Sequence, residues 1–195
     1  MTTPNTNYFI LFIAGESQVK PVYVSQSSTF EYEGYREEAE YAIDGSLATS
    51  SHTDCAWVTD IWYKMTFDAI YCFSKVVIVQ SKTNMYGYRM DGTDVFVVNT
   101  ETGAKSLCGV LKVGSGTTIE SQTYTIPCDQ KCGNEVKLTL RHDKGNYNIE
   151  ACIHMKEITA FYSGLNNFIL QDFNIIIKLC DIKHIYVKEL IVNKT

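Results

Sequence analysis

The residues of this sequence that could bind a ligand are concentrated in one loop and one neighbouring turn. The stretch "EYAIDGSLATSSHTDCAWVTDIWYKM" (40–65) contains an Asp-Gly turn, six Ser or Thr residues, His52 and Cys55. The following turn offers two cations and an apolar platform, namely Lys82, Arg89, Met85, Tyr86 and Tyr88. Fork-like hydrogen-bond donors on loops beside an aromatic surface suit the paired hydroxyls of a sugar. The pattern indicates carbohydrate binding; the alternative is that Lys82 and Arg89 are ordinary solvated residues beside a hairpin turn.

Catalytic chemistry leaves no comparable signature. The sequence has four histidines but no nucleophile elbow, P-loop, Rossmann turn, HExxH helix or EF-hand loop. Paired carboxylates for glycoside hydrolysis stay open as an alternative, because such residues pair only in space. We therefore expect a protein that binds its ligand and is not an enzyme.

The charge and hydropathy of the sequence argue against nucleic acid and membranes as partners. The net charge is −5 and the pI about 5.4, and Lys and Arg do not cluster, so neither nucleic acid nor an anionic membrane surface is expected as a partner. No stretch approaches the roughly 20 apolar residues that a spanning helix needs. The apolar run 8–14 is either the hydrophobic part of a signal peptide or a first strand.

The seven cysteines bear on the compartment. They are scattered along the chain and form no CxxC pair, which argues against a zinc site. An extracellular or secreted chain with two or three disulfides and one leftover thiol fits this usage. The alternative is a cytosolic protein with buried free cysteines.

Short runs of alternating apolar and polar residues predict an all-β sandwich. The runs are of strand length and are bounded by Gly, Asn, Asp or Ser; they are 74–81, 93–100, 122–128, 135–142 and 154–162. Only 35–42 predicts helical turns. The composition changes after Gly164, so we divide the chain into an N-terminal segment 1–18, a domain 19–164 and a C-terminal appendage 165–195 of unknown role.

Residues 19–162 resemble the F-type lectins, the fucose-binding family typified by eel agglutinin, within the discoidin-like or coagulation-factor type C domains. The resemblance rests on motifs in a characteristic order: KPVYVSQSSTF (20–30), AIDGS (42–46), WYKMTF (62–67), YCFSKVVIVQ (71–80), SLCG (106–109), TIPC (125–128) and IHMKEITAFY (153–162). It implies an eight-stranded jelly-roll β-sandwich of the galactose-binding-domain type, consistent with the all-β pattern.

The resemblance also implies a structural Ca²⁺ ion. The family binds calcium with the Asp of the Asp-Gly turn and a Glu of the closing strand, which correspond here to Asp44 and Glu157. Further oxygens would come from the carbonyls of Tyr41, Ser46 and Lys156 and from a hydroxyl in the Ser50 or Ser51 region, for which we take Ser51. A hard cation with six or more oxygen ligands fits such a set.

The family's sugar ligands are one His and two Arg, which align with His52, Lys82 and Arg89, with Tyr86 and Met85 beside them. Lys82 replaces an Arg and loses its bidentate fork. The family also packs a disulfide of adjacent cysteines against the sugar, and this chain has Thr, Asn, Met and Tyr at 83–86 instead.

The resemblance pairs Cys108 with Cys128 and places Cys55 at one end of a second disulfide, with Cys152 as substitute partner. A Cys72–Cys132 bond would leave Cys180 free. The function expected is that of a secreted, calcium-stabilised lectin that recognises fucosylated or related cell-surface glycans, as in cell recognition and innate immunity. The alternatives are a discoidin-like adhesion module for protein or phospholipid, and a structural domain that has lost sugar binding. A homo-oligomer would add avidity.

Overall fold

A computed structural model of the chain describes residues 9–55, 60–81, 87–113, 122–140, 151–170 and 185–189. Contacts divide the chain into a larger unit, Gln18–Tyr162, and a smaller one formed by Met1–Ser17 and Ser163–Thr195. The predicted domain, 19–164, covers nearly the same residues as the larger unit. Among the described residues, no helix is long and apolar enough to cross a membrane.

The described elements are almost entirely β-strands. The strands are β1 Phe9–Val19, β2 Tyr23–Gln26, β3 Glu31–Tyr32, β4 Tyr35–Arg36, β5 Ser51–His52, β6 Ile61–Gln80, β7 Asp94–Asn99, β8 Ala104–Val110, β9 Thr123–Leu140, β10 His154–Leu170 and β11 Ile185–Glu189. Two single-turn 3-10 helices occupy Ala39–Ala42 and Gly87–Met90. The all-β prediction is confirmed, whereas the helical prediction for 35–42 is correct only for its second half, because Tyr35–Arg36 pairs with β3 as a short hairpin.

In the larger unit the strands are ordered β10-β6-β9-β7-β8, with β2 paired to β6 and β5 paired to β10. All of these pairs are antiparallel. Strand β6 is 20 residues long and pairs with β9 from Ile61↔Leu140 to Val79↔Thr123, with a register shift between Thr66 and Tyr71. The sequence pattern predicted a strand only over 74–81 of this stretch, and residues 68–70 are exposed in the structure.

The core lies between these strands and comes from alternate positions on them. Fully buried side chains include Ile61, Tyr63, Met65, Phe73, Val76, Ile78, Val95, Leu138 and Met155. This alternation follows from the two-residue period of a strand, which turns every second side chain to one face. The Tyr63 hydroxyl donates a hydrogen bond to the carbonyl of Ala39 (2.9 Å) and so fixes the first 3-10 helix against the sheet.

The smaller unit contains a pair of strands from the two ends of the chain. Strand β1 pairs antiparallel with β11, from Phe9↔Glu189 to Ile13↔Ile185. Strand β1 begins at Phe9, within the apolar run 8–14. The predicted appendage, 165–195, therefore contributes strand β11 to this pair.

Candidate functional site

The loop after the first 3-10 helix is shaped by the carboxylate of Asp44. Oδ1 accepts a hydrogen bond from the backbone N–H of Ser46 (2.7 Å), and Oδ2 accepts one from the hydroxyl of Thr49 (2.7 Å). Gly45, between Asp44 and Ser46, has a φ of 77°, a left-handed conformation that favours glycine. The Asp-Gly pair is therefore the turn that the sequence indicated, and its carboxylate holds the following five residues in place.

Glu157 of strand β10 approaches this turn from the other side. Its Oε2 atom is buried and has no hydrogen-bond partner among the described residues. Burial raises the pKa of the Glu157 carboxyl; a hydrogen bond from the Gly45 N–H lowers it, and the charge of Asp44 raises it further. Two carboxylates that repel each other, one of them with an unpaired buried oxygen, are the arrangement that a bound cation would stabilise.

The other predicted calcium ligands are placed in different ways. Ser46 is in the turn, and its carbonyl lies 3.1 Å from the Thr49 hydroxyl. Lys156 adjoins Glu157, and its ammonium group donates to the carbonyl of Leu47 (2.6 Å), so strand β10 is tied to the loop. The Ser51 hydroxyl is buried and donates to Gln26 Oε1 (2.7 Å), which directs it to another partner.

Tyr41 stacks its ring on that of Tyr35, with ring centroids 6.3 Å apart. The sequence did not point to Thr49, although its hydroxyl lies beside both Asp44 and Ser46. Two carboxylates, loop carbonyls and a hydroxyl form a set of hard oxygen donors, and such a set fits Ca²⁺. A cavity of about 80 Å³, lined by Ile43, Glu157 and the segment 18–21, adjoins the same carboxyl.

His52 lies at the centre of a buried polar cluster and is only 6% exposed to solvent. Strand β5 pairs with β10 so that His52 is opposite His154, and the two imidazole rings stack with centroids 4.0 Å apart. Nδ1 of His52 is 2.9 Å from Glu37 Oε2. Nε2 is 3.3 Å from the sulfurs of both Cys55 and Cys152. Both ring nitrogens are therefore occupied by protein groups.

The charges in this cluster are strongly interdependent. Burial would raise the pKa of Glu37, but hydrogen bonds from His52 and Ser50 and the charges of the two histidines hold it below its usual range. The Ser50 hydroxyl donates to Glu37 Oε1 (2.6 Å). Burial, helped by the charge of His52, lowers the pKa of His154 to about 4. At neutral pH Glu37 is thus ionised and His154 is neutral.

This cluster is not well arranged for a transition metal. Glu37, His52 and His154 each place one ligand atom within 4.8 Å of the others. The two imidazole planes, however, differ by only 20° and are stacked. Their in-plane lone pairs therefore lie in two separate, nearly parallel planes and cannot both point at one ion, as tetrahedral coordination requires.

Arg89, another predicted sugar ligand, contacts the same disulfide as His52. Cys55 and Cys152 are bonded to each other, and Arg89 Nη1 is 3.2 Å from the first sulfur and 3.8 Å from the second. Arg89 is half-buried and belongs to the second 3-10 helix. The structure thus brings His52 and Arg89 to the same disulfide, whereas Lys82, Met85 and Tyr86 lie outside the described residues.

The structure has two further disulfides in the larger unit. Cys72 pairs with Cys132 across neighbouring strands, at directly opposed positions of β6 and β9. Cys108 of β8 pairs with Cys128 of β9. The resemblance implied the Cys108–Cys128 pair and a disulfide at Cys55, for which Cys152 was a substitute partner, whereas Cys72–Cys132 was one possibility among the remaining cysteines. Sequence reasoning missed Glu37 and His154 as neighbours of His52. The pairing of β5 with β10 brings His154 to it, and a hydrogen bond from the His52 backbone N–H to the Glu37 carbonyl brings Glu37.

Comparison with known proteins places this geometry in a wider class of folds. The sequence matches no protein-family model and no curated protein. Among solved structures, the serum fucolectin of striped bass (Morone saxatilis) is similar with a TM-score of 0.56 and 19% identity, over 74% of this chain and 46% of that one, so this chain spans just under half of that lectin. The lectin domain of lectinolysin, solved with Lewis b antigen, has a TM-score of 0.55 and 19% identity, over 73% of this chain and 93% of that one.

A third similar structure is the family 32 carbohydrate-binding module of C. perfringens NanJ, solved with galactose. Its TM-score is 0.57 and its identity 15%, over 75% of this chain and 98% of that one. An F5/8 type C domain from Bacteroides fragilis is similar at a TM-score of 0.55 and 14% identity, over 79% of this chain and 98% of that one. The chain therefore has the galactose-binding-like jelly-roll fold that F-type lectins and discoidin-like modules share, as its sequence predicted.

Proposed function

We propose that this domain is a non-catalytic glycan-binding module of an extracellular protein. The observation that carries the proposal is the convergence of His52 and Arg89, which are far apart in the sequence, on the Cys55–Cys152 disulfide. The similar structures solved with Lewis b and galactose support it, as does the fold they share with this chain. Three disulfides are consistent with an extracellular compartment.

In this proposal Arg89 contacts the sugar and His52 acts indirectly. The guanidinium of Arg89 offers several N–H donors in one plane, which suits two adjacent sugar hydroxyls. The chain lacks the adjacent-cysteine disulfide of F-type lectins, and Cys55–Cys152 supplies a disulfide beside Arg89 instead. His52 is too buried to donate to a sugar freely, so it positions Cys55 from behind. The sugar class is fucose or a related cell-surface sugar.

The proposed calcium ion would stabilise the loop that leads into this site. Asp44 and Glu157 would bind it with their carboxylates, and the Ser46 carbonyl and Thr49 hydroxyl lie in the same turn. When bound, the ion would neutralise the two carboxylates and give Glu157 Oε2 a partner. A fixed turn at Asp44 fixes the start of the segment that continues to Cys55, so calcium and glycan binding are expected to be coupled.

A glycan array of the intact chain in the presence of Ca²⁺ tests the proposal. We expect binding to a group of related glycans, loss of at least about tenfold in affinity for Arg89→Ala, and no change for Arg36→Ala. Arg36 is a matched control, because it is an exposed arginine that pairs with Glu38 and Glu31 at the surface. Far-UV and near-UV circular dichroism would verify that both variants fold. Glycan binding that persists undiminished in Arg89→Ala would refute the site.

One observation favours a second candidate, an adhesion module for protein or phospholipid. The burial of His52 removes a direct sugar donor that the resemblance predicted, as expected if the pocket had lost its original ligand. Vesicles of phosphatidylserine and phosphatidylcholine separate the two. Binding to these vesicles together with a blank glycan array would favour the second candidate over the first.

A further inference from the structure

The Cys55–Cys152 disulfide differs from an ordinary structural disulfide in its surroundings. Two basic side chains contact its sulfurs: His52 through Nε2, 3.3 Å from each sulfur, and Arg89 through Nη1, 3.2 Å from Cys55 Sγ. A disulfide is neutral and gains little from such neighbours. The thiolates that form when it is reduced gain a great deal, because nearby cations favour the thiolate.

Glu37 completes a chain of three groups. Its carboxylate accepts from Nδ1 of His52, on the side of the ring opposite to the sulfurs. A carboxylate in that position fixes the tautomer of an imidazole and stabilises the imidazolium that forms when Nε2 takes up a proton. The rings of Phe30 and His154 both pack against the imidazole and help to hold it in place. Carboxylate, imidazole and sulfur in this order are the arrangement that activates a cysteine.

The two sulfurs also differ in access. Cys55 is partly exposed, whereas Cys152 is 0% exposed. An incoming group can therefore reach Cys55 Sγ, and the sulfur that would leave, Cys152 Sγ, is the one enclosed with His52. In the Cys72–Cys132 disulfide, by contrast, Cys132 Sγ lies 3.3 Å from the Gln130 carbonyl oxygen, a neutral group whose lone pairs disfavour a thiolate.

We propose that Cys55–Cys152 is a thiol-exchange site that reacts with small thiols and dithiols in preference to the other two disulfides. The thiolate of the incoming molecule attacks Cys55 Sγ and forms a mixed disulfide there. The electron pair of the broken S–S bond goes to Cys152 Sγ, which becomes a thiolate next to His52 and Arg89. The proton that the incoming thiol released goes to the solvent.

A dithiol completes the reaction. Its second thiol attacks the first sulfur of the same molecule in the mixed disulfide and transfers its proton to Cys55 Sγ, which is displaced. The reagent then leaves as an oxidised cyclic disulfide. The protein disulfide is thereby reduced by two electrons and the dithiol is oxidised by two. One molecule of a monothiol such as glutathione gives only the mixed disulfide on Cys55, because completing the reduction needs a second molecule that leaves with the first as oxidised glutathione. The inference does not depend on glycan binding.

The test is a redox titration of the intact native chain. The protein is equilibrated with reduced and oxidised dithiothreitol at a series of ratios, free thiols are alkylated, and peptide mass spectrometry reads the three disulfides separately. We expect the equilibrium constant for reduction of Cys55–Cys152 to exceed that of Cys108–Cys128 by at least about tenfold, the usual size of one cation's effect on a thiol. The two other disulfides are internal controls, so this comparison needs no variant.

Two further measurements isolate the cause. Arg89→Gln should lower the equilibrium constant of Cys55–Cys152 by about tenfold and leave that of Cys108–Cys128 unchanged, whereas Arg89→Lys should retain most of it. Glutathione should be found on Cys55 and not on Cys152. The inference is overturned if Cys55–Cys152 is as resistant to reduction as Cys108–Cys128, if Arg89→Gln behaves as wild type, or if glutathione is attached to Cys152.

Discussion

Replacing Glu157 by Gln separates two effects that this carboxyl should have on the domain. Without calcium, its Oε2 is buried, has no hydrogen-bond partner in the described part of the chain and faces the charge of Asp44, so the carboxylate costs stability. With calcium, the same carboxylate would be a ligand. The variant keeps the shape of the side chain and removes its charge, so it should stabilise the calcium-free domain by about 1 kcal/mol and abolish most stabilisation by calcium.

The size of the calcium effect follows from the donor set. With two carboxylates, the site should resemble the calcium sites of extracellular modules, whose Kd is about 10⁻⁴ M. At about 10 mM Ca²⁺, a hundred times this Kd, binding to the native state alone adds about 2.7 kcal/mol. For a domain of this size, this raises Tm by about 5–10 °C. In Glu157→Gln the rise should be below about 2 °C, since the site keeps one carboxylate.

Differential scanning calorimetry in 10 mM Ca²⁺ (~100 Kd) and in EGTA measures both effects. Glu101→Gln is the matched control, because Glu101 is exposed in the turn between β7 and β8 and should keep the full calcium shift. Mg²⁺ at the same concentration should have little effect, because it gives up its water ligands reluctantly. The reasoning is wrong if calcium does not raise the Tm of the wild type, or raises that of Glu157→Gln equally.

Three other substitutions or conditions test the structure independently. Acidification from pH 6.5 to about 4 should destabilise the domain, because burial lowers the pKa of His154 in the folded chain and the unfolded chain therefore binds a proton that the folded chain does not. The substitution His154→Gln should flatten the dependence of Tm on pH in this range. This comparison is made in the Glu157→Gln background with EGTA. Tyr63→Phe should cost about 1 kcal/mol in urea unfolding, because the Ala39 carbonyl loses a buried donor. Gly133→Ala should reduce stability by more than about 2 kcal/mol, since the new Cβ would overlap the carbonyl of Val98; an unchanged urea midpoint would contradict the pairing of β7 with β9.

The fold could be predicted because the sequence of each strand shows, by its alternating apolar residues, which face of the strand is buried. Alternating apolar residues in the strands of the larger unit mark one inward face, and this local pattern does not depend on the partner strand. Strand length could not be predicted in the same way. The alternating pattern marked only 74–81 as a strand, although β6 runs from Ile61 to Gln80 and continues through the exposed residues 68–70 by a register shift.

The candidate site was only partly predictable because its members come from distant strands. The Asp-Gly turn at Asp44 has a local signature, and the resemblance supplied Glu157. No local pattern marks Glu37 or His154 as neighbours of His52, because a strand of two residues, β5, brings them together. The burial of His52 is likewise a consequence of that pairing and of the disulfide that covers it.

An NMR titration can detect glycan binding beside the Cys55–Cys152 disulfide residue by residue. Uniformly ¹⁵N-labelled protein in Ca²⁺ would be titrated with L-fucose and with D-galactose while backbone amide shifts are recorded. We expect saturable shifts concentrated in residues 53–55, 89–92 and 151–154 for at least one of the sugars. Shifts confined to other segments, or none up to concentrations that saturate a weak millimolar site, would contradict this expectation.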